Sequence, residues 1–582
     1  MTSPSSAGFS IAPIVVELIL TLIAILLLFA WPRLGAPFFA RIERAFVPLA
    51  RRRGLSVLVV GLTALILRLA ILPVIPIPNP VVPDDFSFLF SADTFAHLRL
   101  TNPTPAMWIH FESIHITMRP TYMSMYFPAQ GLILAAGKLL FGHPWYGLLI
   151  VNALMCAAIC WMLQAWLPVT WALLGGLLSV LHLALFSYWI NTYHAASIAA
   201  LGGALVLGAF PRIKRSLKVR DGLLLALGIV ILVLSRPYEG LLLCLPVLFS
   251  LAHWAFFGKN RPPLGRLALR AALPLAVIAA GLGWLGYFDK VAWGSPFTLP
   301  YTVGRAQYAT APYFIWQPRR PEPIYNHPVM RAYYYETEQR PAENGKGPLG
   351  YLLVKVLTAL ATIQFFAGIA LLPPLIMIPR VFRDRRIRFL VVGVLVLAAG
   401  MAIQVFLLAH YLAPFTAAFY AIGLQCMRHL RVWAPGGRPL GLTMVRLLVF
   451  ICMLMGVARV YAGPLHLALP EWPAGSWNRI WYGPDHYGTE RVRVEEMLRA
   501  QPGNQLAIVR YSSRHNPYDE WVYNSADLEN SPVIWARDMD EDHNRELLRY
   551  YPGRTAWLVQ PDRLPAAVSK YPTEAVANAE SH

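Results

Sequence analysis

Residues 55–86 read LSVLVVGLTALILRLAILPVIPIPNPVVPDDF. The first 24 of these hold one charged side chain, Arg68. A run of that length and character is long enough to cross the hydrocarbon core of a bilayer. Two adjacent carboxylates, Asp84 and Asp85, follow at once. The stretch therefore describes a membrane span that hands the chain to an acidic pair at the membrane surface.

The same apolar signature recurs outward in both directions. Runs at 11–31, 145–166, 169–189, 195–211, 222–236, 238–257, 271–289, 349–379, 389–408, 411–427 and 447–463 join 55–78 as candidate spans. The whole chain has 582 residues, 57% hydrophobic and 14% charged, with a mean hydropathy of +0.48. Soluble domains carry roughly 25% charged residues. A soluble enzyme, a secreted disulfide scaffold and a disordered chain are excluded. The five cysteines all lie inside apolar runs, without a CxxC pair, and read as small buried hydrophobes. The expected fold is a polytopic α-helical membrane protein of about twelve spans.

The net charge of +19 is a topology signal. Segments 32–54, 212–221, 258–270, 380–388 and 428–446 hold 24 Lys and Arg against three acids, Glu43, Asp221 and Asp384. Lys and Arg concentrate in cytoplasmic loops of membrane proteins. With 32–54 inside, alternation along the chain puts all five segments on the cytoplasmic side. Nucleic-acid binding needs a continuous basic face, and scattered short loops do not supply one. Residues 79–144, 290–348 and 464–582 are left outside. The last has 17 acids and 12 bases. Its strand-like runs at 505–511, 532–538 and 555–562 alternate with helix-like stretches at 491–500 and 544–551, which predicts a small α/β domain. The organisation expected is thus a transmembrane catalytic domain, 1–463, with outer loops 79–144 and 290–348, and an extracytoplasmic α/β domain, 464–582.

Side chains that are costly in lipid gather at the outer ends of the spans. Asp84-Asp85 opens the first outer loop. Asn191, Tyr193 and His194 close the fourth span. Arg236-Pro237-Tyr238-Glu239 joins the sixth and seventh, and His410-Tyr411 joins the tenth and eleventh. A carboxylate there is a candidate general base toward a hydroxyl. A buried guanidinium suits a phosphate. Base, phosphate clamp and lipid access together point to transfer from a lipid-linked phosphate donor. No His/Asp/Glu cluster has metal-ligand spacing, so neither a cofactor nor an essential metal is expected, although the acidic pair leaves divalent dependence open.

The chain resembles GT-C fold glycosyltransferases, in the group of protein O-mannosyltransferases and aminoarabinose transferases, and most of all the bacterial members. The matching residues are Asp84-Asp85-Phe86 through Asp93-Thr94-Phe95-Ala96, Leu100-Thr101-Asn102-Pro103, Pro120-Thr121-Tyr122-Met123-Ser124 and Gln130-Gly131-Leu132. Asn191-Thr192-Tyr193, Arg236-Pro237-Tyr238-Glu239-Gly240 and His410-Tyr411 continue it, as do Glu520-Trp521-Val522-Tyr523-Asn524 and Trp535-Ala536-Arg537-Asp538 in the tail. The resemblance implies a polyprenyl-phosphate sugar donor, inversion at the anomeric carbon, and a catalytic carboxylate in the first outer loop. Carried onto this chain, Asp84 is the base with Asp85 beside it, the two side chains pointing apart as in an extended segment. Donor phosphate or sugar would meet Arg236, Glu239, Tyr238, Asn191, Tyr193, His194, His410, Tyr411, Asp93 and His97. It also implies a bacterial inner membrane with the C-terminal domain outside the cytoplasm. The acceptor, whether glycan, lipid or protein, is left open. Two departures matter: the family often has Asp-Glu where this chain has Asp84-Asp85, a mild change, and a Lys followed by paired prolines where this chain reads Met125-Tyr126-Phe127-Pro128-Ala129.

Blander readings stand beside these. Asp84-Asp85 also reads as a helix cap, Arg236 as a snorkelling side chain, Glu239 as its ion-pair partner, and Asp93 with His97 as a local pair four residues apart. At the level of function, a lipid-linked glycan ligase or polymerase would lean on the Arg-rich loop 290–348. A flippase or transporter would place its site near the midplane and show repeated halves, and no repeat is evident.

Overall fold

The computed structural model describes residues 8–10, 12–258, 261–340, 343, 347–462, 471–473 and 488–572. Each of the twelve expected spans carries helix. Seven helices among the described residues are long and apolar enough to cross a membrane: Arg53–Ala70, Trp145–Trp166, Ala196–Ser216, Pro237–Phe257, Leu264–Trp293, Gly347–Ala367 and Leu440–Tyr461. Ile14–Ala30, Val169–Leu185 and Arg388–Ala402 are apolar but shorter. Val219–Val233 and Thr416–Arg431, of 15 and 16 residues, also fall short of a full span.

Two expected spans end early for identifiable reasons. The helix over 55–78 stops at Ala70. Buried Arg68 donates to the carbonyls of Ile75 and Pro76 and to Asn191 Oδ1, so the proline-rich stretch folds back over the helix end. The helix over 169–189 passes at Val180 into a π-helical turn, Val180–Leu185, before the short helix Tyr188–Asn191.

Helix Ala196–Ser216 lies at the centre, against Trp145–Trp166 and Val219–Val233. Small residues permit this close packing. A Cβ on Gly203 would sit 1.8 Å from the Pro414 carbonyl oxygen, so only glycine fits. Helix Leu264–Trp293, by contrast, leaves Leu269, Leu273 and Leu275 exposed, a face suited to lipid.

The first outer loop is structured. It holds helices Pro83–Ala96 and Pro128–Phe141, a short helix Trp108–Phe111, and a two-stranded ribbon pairing Ile116–Thr117 with Met123–Ser124. The acidic pair lies in the first turn of a helix, not in an extended segment.

In the tail, residues 463–470, 474–487 and 573–582 lie outside the described residues. From 488 onward it is an α/β domain. Strand Asn504–Val509 pairs in parallel with Val533–Arg537 on one side and Arg554–Gln560 on the other, and Ala567–Lys570 closes the sheet antiparallel. Helices Thr489–Arg499 and Glu541–Tyr550 alternate with the strands. The domain docks on the first outer loop, where Tyr523 stacks on Phe86 at 4.1 Å.

Candidate active site

Four helix starts build the site. Pro83, Pro128, Pro237 and Pro300 each open a helix. Proline suits the first helical position, where its missing N–H costs nothing and its φ is already helical. Each of these turns delivers a polar side chain to one level: Asp84 after Pro83, Tyr126 before Pro128, Arg236 before Pro237, and Tyr301 after Pro300. All four line one cavity of about 950 Å³.

Asp84 and Asp85 have different surroundings although they are neighbours. Asp85 is fully buried. Its Oδ1 accepts from the Tyr193 amide at 2.9 Å, and its Oδ2 accepts from the Val81 amide at 3.3 Å. That second bond reaches back across the helix start, as a capping carboxylate does. Asp84 is 20% exposed and lines the cavity. Its Oδ1 lies 2.6 Å from His115 Nδ1 and accepts the Tyr126 hydroxyl proton, and its Oδ2 lies 3.1 Å from His194 Nε2. Burial alone raises a carboxyl, but the imidazoles of His115 and His194 outweigh it and hold Asp84 well below the usual carboxylate range. Burial likewise opposes charge on His194, yet Asp84 and Asp85 push it up to about 9.

His115 and Tyr126 join the site without having been candidates in the sequence. His115 Nε2 lies 3.0 Å from the Tyr333 hydroxyl, and its amide donates to the Tyr334 hydroxyl at 3.0 Å. Its φ is +64°, uncommon for a residue with a Cβ. His115 lies 31 positions from Asp84, in an irregular stretch with no motif; its only signal is a titratable residue amid the apolar run Ile114, Ile116 and Met118.

Arg236 is 8% exposed. Its guanidinium lies over the Tyr411 ring at 4.6 Å, and its Nε has no hydrogen-bond partner among the described residues. No ion pair joins it to Glu239 among the described contacts, although Glu239 is buried one turn along and lines the same cavity. Two other cations of the cavity differ. Arg305 is bound to Glu338 and the Ala311 carbonyl. Lys355 donates to the carbonyls of Met401, Gln404 and Val405, at and just past the end of helix Arg388–Ala402.

Asp84, Arg236, Tyr238, Glu239, His410 and Tyr411 are thus brought together. His194 stands directly behind Asp84, with its ring 5.1 Å from that of His410. Tyr238 is anchored through its hydroxyl to the Gly400 carbonyl, and His410 Nδ1 lies 2.9 Å from the Tyr188 hydroxyl. Asn191 and Tyr193 do not face the cavity. Asn191 holds Arg68, and the Tyr193 hydroxyl holds the Pro78 carbonyl. Asp93 and His97 lie elsewhere too. Asp93 pairs with Lys138 at 2.5 Å and accepts the Ala526 amide of the tail, while His97 bonds the Asp93 carbonyl. A helix puts residues 84 and 93 at opposite ends and on different faces, so the second acid cannot reach the first one's pocket.

No family model and no curated protein matches the chain. Among solved structures, the chain is similar to ArnT from Cupriavidus metallidurans in the apo state, with 13% identity and a TM-score of 0.48 over 94% of this chain and 95% of that one. It is similar to the same protein bound to undecaprenyl phosphate, with 14% identity and a TM-score of 0.45 over 90% and 94%. It is also similar to the apo oligosaccharyltransferase of Archaeoglobus fulgidus, with 10% identity and a TM-score of 0.48 over 87% and 69%.

Proposed function

We propose that this chain is a membrane glycosyltransferase that moves a sugar from a polyprenyl-phosphate donor to an acceptor hydroxyl at the outer face of the membrane. One observation carries the reading. A single cavity is lined both by a carboxylate, Asp84, and by a buried guanidinium, Arg236, that forms no ion pair within 4 Å among the described residues and leaves its Nε without a hydrogen-bond partner there. An unpaired buried charge is costly, and an anionic ligand relieves that cost. One such cation matches one phosphate better than a longer phosphate chain.

The proposed step uses these groups directly. Asp84 takes the proton of an acceptor hydroxyl. The oxygen attacks the anomeric carbon from the side opposite the phosphate, the bond to the phosphate oxygen breaks, and the configuration inverts. Arg236 stabilises the charge that grows on the departing phosphate. His194 and His115 hold Asp84 ionised and oriented. Lipid access has its own support. An apolar groove of about 460 Å³, lined by residues such as Phe366, Leu397 and Met401, meets the cavity at Lys355 and Leu407, where a prenyl chain would fit.

The ligase reading keeps one supporting observation: Arg320 and Arg340 also line the cavity. Against it, Arg331 is taken up by Glu322 and Glu336, and Arg319 lies 3.6 Å from Glu343. Binding of a polyprenyl phosphate and of a polyprenyl pyrophosphate to the purified protein separates the two. The transferase reading expects the monophosphate to bind more tightly and Arg236→Gln to abolish the difference. Tighter pyrophosphate binding that needs Arg320 or Arg340 would favour the ligase.

A further inference from the structure

The tail segments 520–524 and 535–538 have no part in the proposed chemistry, yet they carry a buried ion pair. Arg537 Nη2 lies 2.8 Å from Glu520 Oε2, with the two side chains 3% and 0% exposed. Such a pair is weak evidence for stability, because desolvation offsets its attraction, so what else it holds matters. Arg537 Nε donates to the Glu112 carbonyl at 2.8 Å. Glu520 Oε1 accepts the Val522 amide at 2.8 Å and the Tyr511 hydroxyl. The Val522 carbonyl then accepts the Ser113 hydroxyl at 2.6 Å, and the Tyr523 hydroxyl donates to the Ile114 carbonyl at 3.3 Å.

Three consecutive residues, Glu112, Ser113 and Ile114, are thus each tied to the tail, and the next residue is His115. Its left-handed backbone is disfavoured for a side chain with a Cβ and persists only where surroundings fix it. His115 Nδ1 then meets Asp84 at 2.6 Å. Every bond in this path runs between directly touching groups, and the tail meets the loop at three consecutive residues.

We propose that the Glu520–Arg537 pair is a positioning device. It clamps residues 112–114, fixes the strained backbone of His115, and so sets the orientation of Asp84. The tail domain is in this account a working part of the active site, although none of its ion pair touches substrate. The activity arm of the test rests on the transferase reading; the structural arm does not.

The test uses the full chain with Arg537→Lys, which cannot donate to both Glu112 and Glu520 in the same geometry. Ser113→Ala, the mildest cut in the clamp, is the second variant. Arg493→Ala, at an exposed pair with Glu490, is the control. Backbone hydrogen–deuterium exchange of residues 112–117 is measured together with that of strands Asn504–Val509 and Arg554–Gln560. The clamp predicts faster exchange at 112–117 in both variants, with the strands as protected as in wild type and the control unchanged. With a polyprenyl-phosphate sugar donor, kcat falls about 10- to 100-fold while donor KM holds, as expected for a misplaced catalytic group. Unchanged exchange at 112–117 in Ser113→Ala and Arg537→Lys overturns the proposal, as does a parallel rise in KM without loss of kcat. If Arg537→Lys loses strand protection, Ser113→Ala decides by the same criteria. If wild type transfers no sugar, the transferase reading fails and the exchange result alone decides the clamp.

Discussion

Two adjacent aspartates do different work here because helix geometry sends them in different directions. Asp85 spends both oxygens on backbone amides, while Asp84 keeps its carboxylate in the cavity among His115, Tyr126 and His194. Asp84→Asn is expected to lower transfer about 10²- to 10⁴-fold, the range of a lost general base, with the protein still folded by size-exclusion chromatography. Arg236→Gln removes a charged contact to phosphate, about 2 kcal/mol or roughly 30-fold in kcat/KM, which donor-dependence kinetics would read. His194 gives a pH signature. Its pKa is raised from 6.5 to about 9 in the fold, so its contribution to stability is complete below about 6.5 and is lost as pH rises through about 9. Melting temperature against pH should therefore fall across that window in wild type and flatten in His194→Gln; parallel curves would contradict the pairing. Asp84 and Arg236 were legible because charge at a span's end is rare and conspicuous. His115 was not, because a loop of 31 residues carries no periodicity that says where it returns. Tyr126 was hidden differently: the stretch 125–129 was notable in the sequence only for lacking a cation, and only the fold reveals a hydroxyl donating to Asp84.

At the scale of elements, the site depends on the packing of Pro83–Ala96 against Pro128–Phe141. Gly131 is the point of closest approach. A Cβ there would lie 2.2 Å from Ser91 Oγ and 2.9 Å from a Phe95 ring carbon. Gly131→Ala is expected to cost about 1–3 kcal/mol by overpacking, seen as a lower melting temperature, and to reduce activity by moving the helix that carries Asp84. A neutral melting temperature would show that the two helices slide apart freely. Helix starts at Pro83, Pro128 and Pro237 are locally marked, because proline suits the first helical turn, although apolar runs and not prolines set the expected spans. Helix ends were less so. The span over 55–78 ends at Ala70 because Arg68 binds carbonyls beyond it, and that contact also needs Asn191, 123 residues away. Three of the four strands of the tail sheet were legible within one or two residues, because short apolar runs between turn residues leave few alternatives; the edge strand Ala567–Lys570 was not.

At the scale of the whole molecule, the charge pattern and the docked tail make one prediction about sidedness. All five cysteines are buried, so a single introduced thiol reports cleanly. Ser513→Cys, on the tail surface, should react with a membrane-impermeant maleimide in intact spheroplasts, and Arg266→Cys only after permeabilisation. The reverse pattern would invert the topology and move the cavity to the cytoplasmic face. The layout of apolar runs and basic loops was visible in the sequence; which polar corners converge was not, because convergence depends on how the helices pack around Ala196–Ser216. The central claim is that Asp84 and Arg236 serve one transfer reaction. Its most direct test is release of polyprenyl phosphate from a defined set of polyprenyl-phosphate sugars by the purified full-length protein, beside Asp84→Asn. The account predicts release with at least one donor by wild type and about 10²-fold less or lower by the variant. Equal release by both would remove Asp84 as the base, and no release from any donor by folded wild-type protein would contradict the transferase reading itself.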